Sequence, residues 1–586
     1  MDLEKDVYTI KKSLNSGMNI HVVSAKSLDF YESETMFVVI FGCAELNDKL
    51  VEPASITAEK LSELIANAQF DIAAVYADLL GKFYFAVYNK KSSALTLVND
   101  QLGVQACYYT VQQDTLFISH SLKQLQKQSS LNFSISKQAI FNYLYFHCIP
   151  APKTIFDEVK KLEPAKAVTF NSEFSHTEEL FYSPGFTQQP LSQQDIEALK
   201  TECLATIDTI VEQQSKADSG AFLSGGLDSS TVAGMLAKHN QPAKTFSIGF
   251  HIDGYDETPY AKLTAKHFNT EHHVLYLEAD EAAAEFVKVA QYFDEPFGNS
   301  SAMAAYFCAK FAKEYGVNTL LAGDGGDELF AGNERYAKQK RFELYYKLPK
   351  PLRVLVNASL NNKLARRVPG VSKVSSYVRQ AEIKLPGRLQ TYNFINMFGV
   401  DNMFTPEFLN DIDVGQPIEL IEKRYSEAKS KHSVDRMLYL DWKFTLTDND
   451  LVKVNSMCEL AGVEVKYPLL DKRLIDFSCK VPADVKLPEY KLRHFYKETC
   501  RGFLADETLN KSKHGFGLPF GLWLKENDAL KSIAIDALEK FKLRGIVKSS
   551  LIDDALNAHE SVHASYYGEL IWIMVVLELW LQRDTD

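Results

Sequence analysis

Short runs of β-branched and aromatic residues, separated by turn residues, mark the first third of the chain. Positions 36–41, 83–88, 94–98 and 115–119 are apolar runs bounded by Gly, Asn, Asp or Gln, a pattern that predicts strands. Helical spacing interrupts them at 57–68, where Leu61, Leu64, Ile65 and Ala68 share a face. An α+β layered domain over residues 1–185 follows. Pro, Gln and Ser then crowd positions 183–192, the composition of a link between domains.

From 193 the pattern changes to strand followed by helix. A helix at 194–213 leads to an apolar strand at 221–223, a turn at 224–230 and a helix from 231 to 238. Strands at 244–250, 272–277 and 319–322 then alternate with helices at 258–267 and 282–293. Such alternation predicts a parallel sheet with helices on both faces and ligands at the carboxyl ends of its strands. Beyond 330 the periodicity is mainly helical, so a second domain of α/β type with a helical C-terminal part is expected over 193–586. The longest apolar stretch, 570–577, is bounded by Glu569 and Glu578. It is far short of a membrane span and is expected as a buried helix.

Composition narrows the function classes. With 586 residues, 46% apolar and 24% charged, the chain is an ordinary globular protein of roughly two to four domains. A net charge of −12 offers a phosphate backbone no general basic face, so a nucleic-acid partner is not expected. Eight cysteines are scattered without a CxxC or His pairing, as reduced and mostly buried thiols would be, and neither a disulfide frame nor a zinc site is expected. The charged start MDLEKDVYTIKK lacks the apolar centre of a signal peptide. A cytoplasmic location with no membrane partner is the expectation. A homodimer or a partner protein stays open.

The chemistry gathers at Ser224-Gly-Gly-Leu-Asp-Ser-Ser230. Paired glycines let the backbone bend sharply and approach a ligand, and hydroxyls beside a helix start suit phosphate or pyrophosphate. Asp228 in the same turn would repel a bare anion, so a divalent cation is expected between them. The spelling SGGLDSS resembles the pyrophosphate loop (PP-loop) of N-type ATP pyrophosphatases, not the Lys-bearing P-loop. Four further segments add to it: Asp256-Glu257, the acid-rich loop 294–301, Gly323-Asp-Gly-Gly-Asp-Glu328, and the Gly-bearing run 511–519 with its cations. Together with Glu464-Val-Lys-Tyr-Pro-Leu-Leu-Asp471, they resemble the synthetase domain of class II asparagine synthetases (asparagine synthetase B-like) over nearly the whole chain.

That resemblance implies a fold and a reaction. The fold is an Ntn-hydrolase-like sandwich followed by an adenine nucleotide alpha hydrolase-like domain. The reaction uses ATP and Mg2+ to adenylate a carboxylate, releases pyrophosphate, and passes the acyl group to ammonia or an amine. Leu223, Ile248, Ala322 and Gly323 would cradle adenine and ribose. Ser224, Gly225, Gly226, Asp228 and Ser229 would hold the pyrophosphate, with Asp228 and Asp327 as the magnesium carboxylates. Lys513 would neutralise charge on the phosphates during attack, and Asp324 would take the proton of the incoming amine.

The first domain follows the family in Leu80-Gly-Lys-Phe-Tyr-Phe-Ala-Val87, Asn99-Asp-Gln-Leu-Gly103 and Pro150-Ala-Pro-Lys-Thr-Ile-Phe156, but not in its chemistry. The glutaminase nucleophile is a Cys freed by removal of Met, and position 2 here is Asp. Asn99 stands where the family has Arg, and Phe41-Gly-Cys-Ala-Glu-Leu-Asn47 replaces its NGEIYN segment. An amide-forming enzyme without its own glutaminase is the leading expectation. Relatives with disabled glutaminases use amine substrates. The β-lactam synthetases carry Tyr at the position of Asp324 and fit less well, whereas lasso-type macrocyclisation and amidation of a sugar acid stay open. A non-catalytic regulatory homologue is the rival class, and the intact Gly, Ser and Asp positions argue against it. Three departures from the family stand out: Asn299, Ser456, and Glu459, which is either an acid of the substrate pocket or part of a solvated helix face.

Overall fold

A computed structural model describes residues 8–15, 17–47, 55–360, 371–511 and 517–583. In the first domain β1 (Tyr8–Ser13), β2 (Asn19–Ser24), β3 (Leu28–Glu32), β4 (Met36–Leu46), β5 (Leu79–Asn89), β6 (Ala94–Asn99), β7 (Tyr108–Gln112), β8 (Thr115–Ser119), β9 (Lys160–Lys161), β10 (Lys166–Phe170) and β11 (His176–Leu180) form two sheets. Their orders are β1-β2-β8-β7-β9 and β11-β10-β6-β5-β4-β3. β4 is buried on both faces. Phe37, Val39 and Phe41 meet Ile20, Val22 and Ile118 of the other sheet, while Met36, Val38 and Ile40 meet Leu61 and Ile65 of α1 (Ala58–Asn67). Period-two alternation with both faces apolar is why this strand reads as a continuous hydrophobic run. The predicted helix begins at its cap, where the Thr57 hydroxyl accepts from Lys60 N at 3.2 Å.

The second domain starts with α2 (Gln193–Gln214). Its sheet comprises β12 (Ser219–Phe222), β13 (Lys244–Gly249), β14 (Glu271–Tyr276), β15 (Thr319–Leu321) and β16 (Glu464–Lys466), in the order β14-β13-β12-β15-β16, with each pairing parallel. Between strands run α3 (Leu227–His239) and α4 (Ala302–Glu314). After β15 come α5 (Glu334–Tyr346), α6 (Lys350–Leu360) and α7 (Val371–Glu382). A nine-residue π-helix, Trp442–Asp450, runs into α8 (Leu451–Leu460), and α9 (Ala564–Gln582) closes the described chain.

Two expectations change. The helix after the glycine turn begins at Leu227 rather than 231, because the chain has already reversed by Gly226. Asp228 then lies in the first turn, where the helix dipole favours an acid. The apolar segment near the C-terminus belongs to the 19-residue α9, long and apolar enough by composition to span a bilayer. Yet 72% of that window is buried in the fold. Glu578 does not end the helix. It is 1% exposed and receives Arg544 Nη2 at 3.0 Å. Seven of the eight cysteines are buried, and Cys43 is exposed.

Candidate active site

The strand order turns at β12 and β15. From β12 the chain first builds outward through β13 and β14, then returns to add β15 and β16 on the other side. A crevice opens at the carboxyl ends of strands where such an order reverses. Here it is a cavity of about 650 Å³. Two glycine positions set its floor. A Cβ on Gly323 would lie 2.7 Å from Ser229 N, and one on Gly326 would lie 2.2 Å from Asp228 Oδ1. The loops after β12 and β15 touch only because those side chains are absent. Ser224 and Ser229 hold the first loop in shape, their hydroxyls 3.0 Å apart, with Ser224 N donating to Ser229 Oγ at 3.2 Å.

Charged groups crowd this cavity in two clusters. On one side Arg493 points Nε at Asp327 Oδ1 (2.6 Å) and Nη1 at Asp228 Oδ2 (3.5 Å). Burial disfavours the guanidinium charge, but Asp228 and Asp327 outweigh it and hold its pKa above the ordinary value. Nearby, Lys511 Nζ donates to Ser224 O at 3.2 Å and pairs with Glu257 at 3.2 Å. Burial lowers its pKa, while Glu257 opposes the shift. On the other side the π-helix and α8 bring in Asp450 and Lys453, paired at 2.8 Å. Burial pushes the Asp324 carboxyl up to about 6. Lys453 pulls it back and Asp450 adds to the rise. A carboxyl so placed changes protonation near neutral pH, which suits a general base.

The cavity gathers Leu223, Ser224, Gly226, Asp228, Ser229, Ile248, Gly323, Asp324 and Asp327. Gly225 and Ala322 stand behind its wall. Gly225 has φ +69° and packs on Tyr260, while Ala322 donates its N–H to Lys466 O at 2.9 Å. Lys513 lies outside the described residues, and Lys511 at the start of that run is the cation seen in the wall. Sequence reasoning missed Arg493, Lys497, Asp450 and Lys453. The first two sit in a helical stretch without a motif, and the last pair emerges only because the π-helix turns that segment inward. Ala304, Ala305 and Cys308 of α4 were missed as well, because a helix buried on every side carries little amphipathic signal.

The acid-rich loop 294–301 is corrected. Asp294 accepts from Ser121 Oγ (2.9 Å) and Leu122 N (3.1 Å), and Glu295 pairs with Lys161 at 2.7 Å. These acids tie the two domains together, and of the loop only Ser301 reaches the cavity. Glu459 is half exposed and pairs with Lys26 of the first domain at 2.8 Å, away from the cavity wall. Asn299 donates to Asn449 Oδ1 at 2.7 Å.

Could the site hold a divalent cation? Among the described residues no group of three His, Cys, Asp or Glu side chains forms a protein-only cage. Asp228 and Asp327 do converge on one cationic group, Arg493. Two carboxylates completed by phosphate oxygens are how Mg2+ is usually held, so the donor set fits.

A two-sheet sandwich joined to a parallel sheet with a crevice at its switch point defines a two-domain protein, a layered first domain followed by an α/β domain. The family model for asparagine synthase matches residues 204–582, and that for the glutamine amidotransferase domain matches 39–182. This chain belongs to the asparagine synthase family. It is 25% identical to "Asparagine synthetase [glutamine-hydrolyzing] 1" of Bacillus subtilis, over 94% of this chain and 86% of that one. It is 31% identical to "Putative asparagine synthetase [glutamine-hydrolyzing] 2" of Methanocaldococcus jannaschii, over 73% and 82%.

Proposed function

We propose that the protein is a C–N ligase that adenylates a substrate carboxylate with ATP, releasing AMP and pyrophosphate, and passes the acyl group to ammonia or an amine. One observation carries this reading: a single cavity joins a serine–glycine loop, an Asp228–Asp327 pair and a half-buried Asp324 of raised pKa. In this reading Ser224, Gly226 and Ser229 bind the pyrophosphate end of ATP, while Leu223 and Ile248 pack against the nucleoside. Asp228 and Asp327 would hold Mg2+, which supplies positive charge against the phosphate oxygens. Lys511 and Arg493 add fixed cations beside the departing pyrophosphate, and Lys513 is proposed to join them. Asp324, ionised above about pH 6, accepts the proton that the attacking amine sheds. Asp450 and Lys453 hold the local field in which it titrates.

The first domain, by the same proposal, does not hydrolyse glutamine. Asn99 is buried and spends its amide on Leu162 O at 3.0 Å, and residues 41–46 are locked into the β4–β5 ladder. Cys43 is no substitute nucleophile, because it lies within β4, paired with Lys82 of β5, and carries no free α-amine to act as its base. The test is to incubate enzyme, Mg2+ and ATP with a panel of carboxylic acids and ammonium or amines, then separate the nucleotides. AMP and pyrophosphate in equal amounts are expected. ADP with orthophosphate would rule out adenylation.

A further inference from the structure

The helices α5 to α7 carry a surface that the reaction does not use. In α6, Val356 and Arg353 turn inward. Val356 packs beside Phe342, Tyr345, Val378 and Ala381, and the Arg353 guanidinium lies 4.9 Å from the centre of the Tyr346 ring. The opposite arc of the helix holds Leu352, Val354 and Leu355, which are 48%, 61% and 62% exposed. An α-helix that turns its aliphatic arc to solvent has its pattern inverted relative to a core helix. Leu344, Leu348 and Val374, each 40–50% exposed, extend the aliphatic surface on the neighbouring segments.

Charge sets the same stretch apart. Residues 338–356 contain six Lys or Arg and one Glu, in a chain whose net charge is −12. Glu343 is engaged by Arg388, while Lys340 pairs with Asp484 and Lys338 donates to the Tyr392 hydroxyl, so the cations turned to solvent here are chiefly Arg341, Lys347 and Lys350. Lys347 and Lys350 flank the exposed leucines at exposed positions.

We propose that the start of α6 docks the protein onto an anionic lipid bilayer, with Leu352, Val354 and Leu355 in the headgroup region and Lys347 and Lys350 on lipid phosphates. Aliphatic side chains between cations on a helix that lies flat on the surface are the signature of interfacial binding. The six half-exposed aliphatics together present several hundred Å², still under the roughly 800 Å² per partner that a stable dimer buries. Nucleic acid would call for rings or amides among the exposed residues, and here they are aliphatic. The absence of a membrane partner was expected because no sequence stretch spans a bilayer, but a surface helix needs no span. α5 leads from the cavity wall at Asn333 and Glu334 to the segment that opens α6. Its 13 residues cover about 20 Å, so docking brings the cavity close to the bilayer surface. The inference does not depend on the adenylation reading, and its test involves no turnover.

Full-length protein is co-sedimented with vesicles of phosphatidylcholine alone or containing about 30% phosphatidylglycerol. Binding to the anionic vesicles is expected roughly tenfold above neutral ones, and to fall in about 0.5 M salt, where the Debye length shrinks to a few Å. The L352D/L355D variant should lose roughly tenfold or more, and K347E/K350E should lose binding together with its salt dependence. L543D removes an 87% exposed leucine on another helix and should bind as wild type. Thermal unfolding of each variant checks that these surface changes leave the fold intact. Wild-type protein that ignores anionic vesicles overturns the proposal, as does L352D/L355D binding unchanged or L543D losing as much. Light scattering that shows a dimer lost in L352D/L355D, with no vesicle binding, would assign the surface to a second copy instead.

Discussion

Two polar regions of this chain, a buried turn and a facing pair of turns, are satisfied in opposite ways. The turn after β6 is closed on itself. Asp100 accepts from Phe83 N (3.2 Å), Leu102 N (2.8 Å) and Gly103 N (2.7 Å), and the Tyr76 hydroxyl donates to Gln101 at 2.7 Å. The second domain completes the closure, with Thr447 donating to Leu102 O at 2.7 Å and Lys443 to Pro164 O at 2.6 Å. The turns after β12 and β15 instead face a cavity with Asp228, Asp324, Asp327 and Asp450 in its wall. Burying charge costs free energy unless something compensates it. In the first turn backbone N–H groups offset part of that cost, although burial still holds the Asp100 carboxyl up at about 6. The second keeps charged groups around open volume, as a binding site for a charged ligand requires.

The comparison breaks most readily at Asp324. Asp324→Asn cannot accept a proton, and turnover should drop about 10²- to 10⁴-fold, the range for one general base. Wild-type turnover should rise with pH through about 6 as the carboxyl ionises, and the residual rate of the variant should lose that step. An unchanged pH–rate profile in the variant would move the base elsewhere. Next in size is the carboxylate pair. Removing one charge, as in Asp327→Asn, should lose about 1.5–3 kcal/mol, roughly 10- to 150-fold in Mg–ATP affinity by calorimetry. Equal affinities would take Asp327 out of the site.

Stability gives an effect of comparable size and opposite sign. The folded carboxyl of Asp324 titrates near 6 and the unfolded one near 3.8, so between them the fold holds more protons. Stability therefore falls as pH rises through this window and stays reduced above it. Asp324→Asn escapes that penalty and should be more stable than wild type at pH 8, by up to about 3 kcal/mol. The gain should shrink as pH falls towards 4, and melting curves across pH measure it. A variant less stable at pH 8 would mean the carboxylate is well compensated in the free protein. Last, Asp2→Cys should add no glutamine hydrolysis, because Asn99 and the 41–47 strand still lack the groups that would act with it.

Much of this was legible before any coordinates. The strands around 36–41, 83–88 and 115–119 are patterned by burial on both faces, and the Ser224–Ser229 loop and the Gly323–Asp327 turn by glycines that two approaching loops demand. Weaker signals hid elsewhere. β16 is three residues, Glu-Val-Lys, recognised as a strand only through its pairing with β15. β11, His-Thr-Glu-Glu-Leu, is an exposed edge strand with no apolar alternation. Asp450 and Lys453 lie in a polar helical stretch whose inward turn comes from π-helical winding. The loop 294–301 misled for the opposite reason: its acids look like ligand groups, but they cap a helix and pair a lysine across the domain interface.

The central claim is that the second turn is a working site and the first is not. It is tested most directly by giving purified wild-type protein glutamine, Mg2+, ATP and a carboxylate that supports pyrophosphate release, with and without ammonium or an amine, and assaying glutamate and pyrophosphate in the same tube. The account predicts pyrophosphate release sustained by ammonium or an amine, with glutamate no higher than in a no-enzyme control. Glutamate formed in step with pyrophosphate would contradict it.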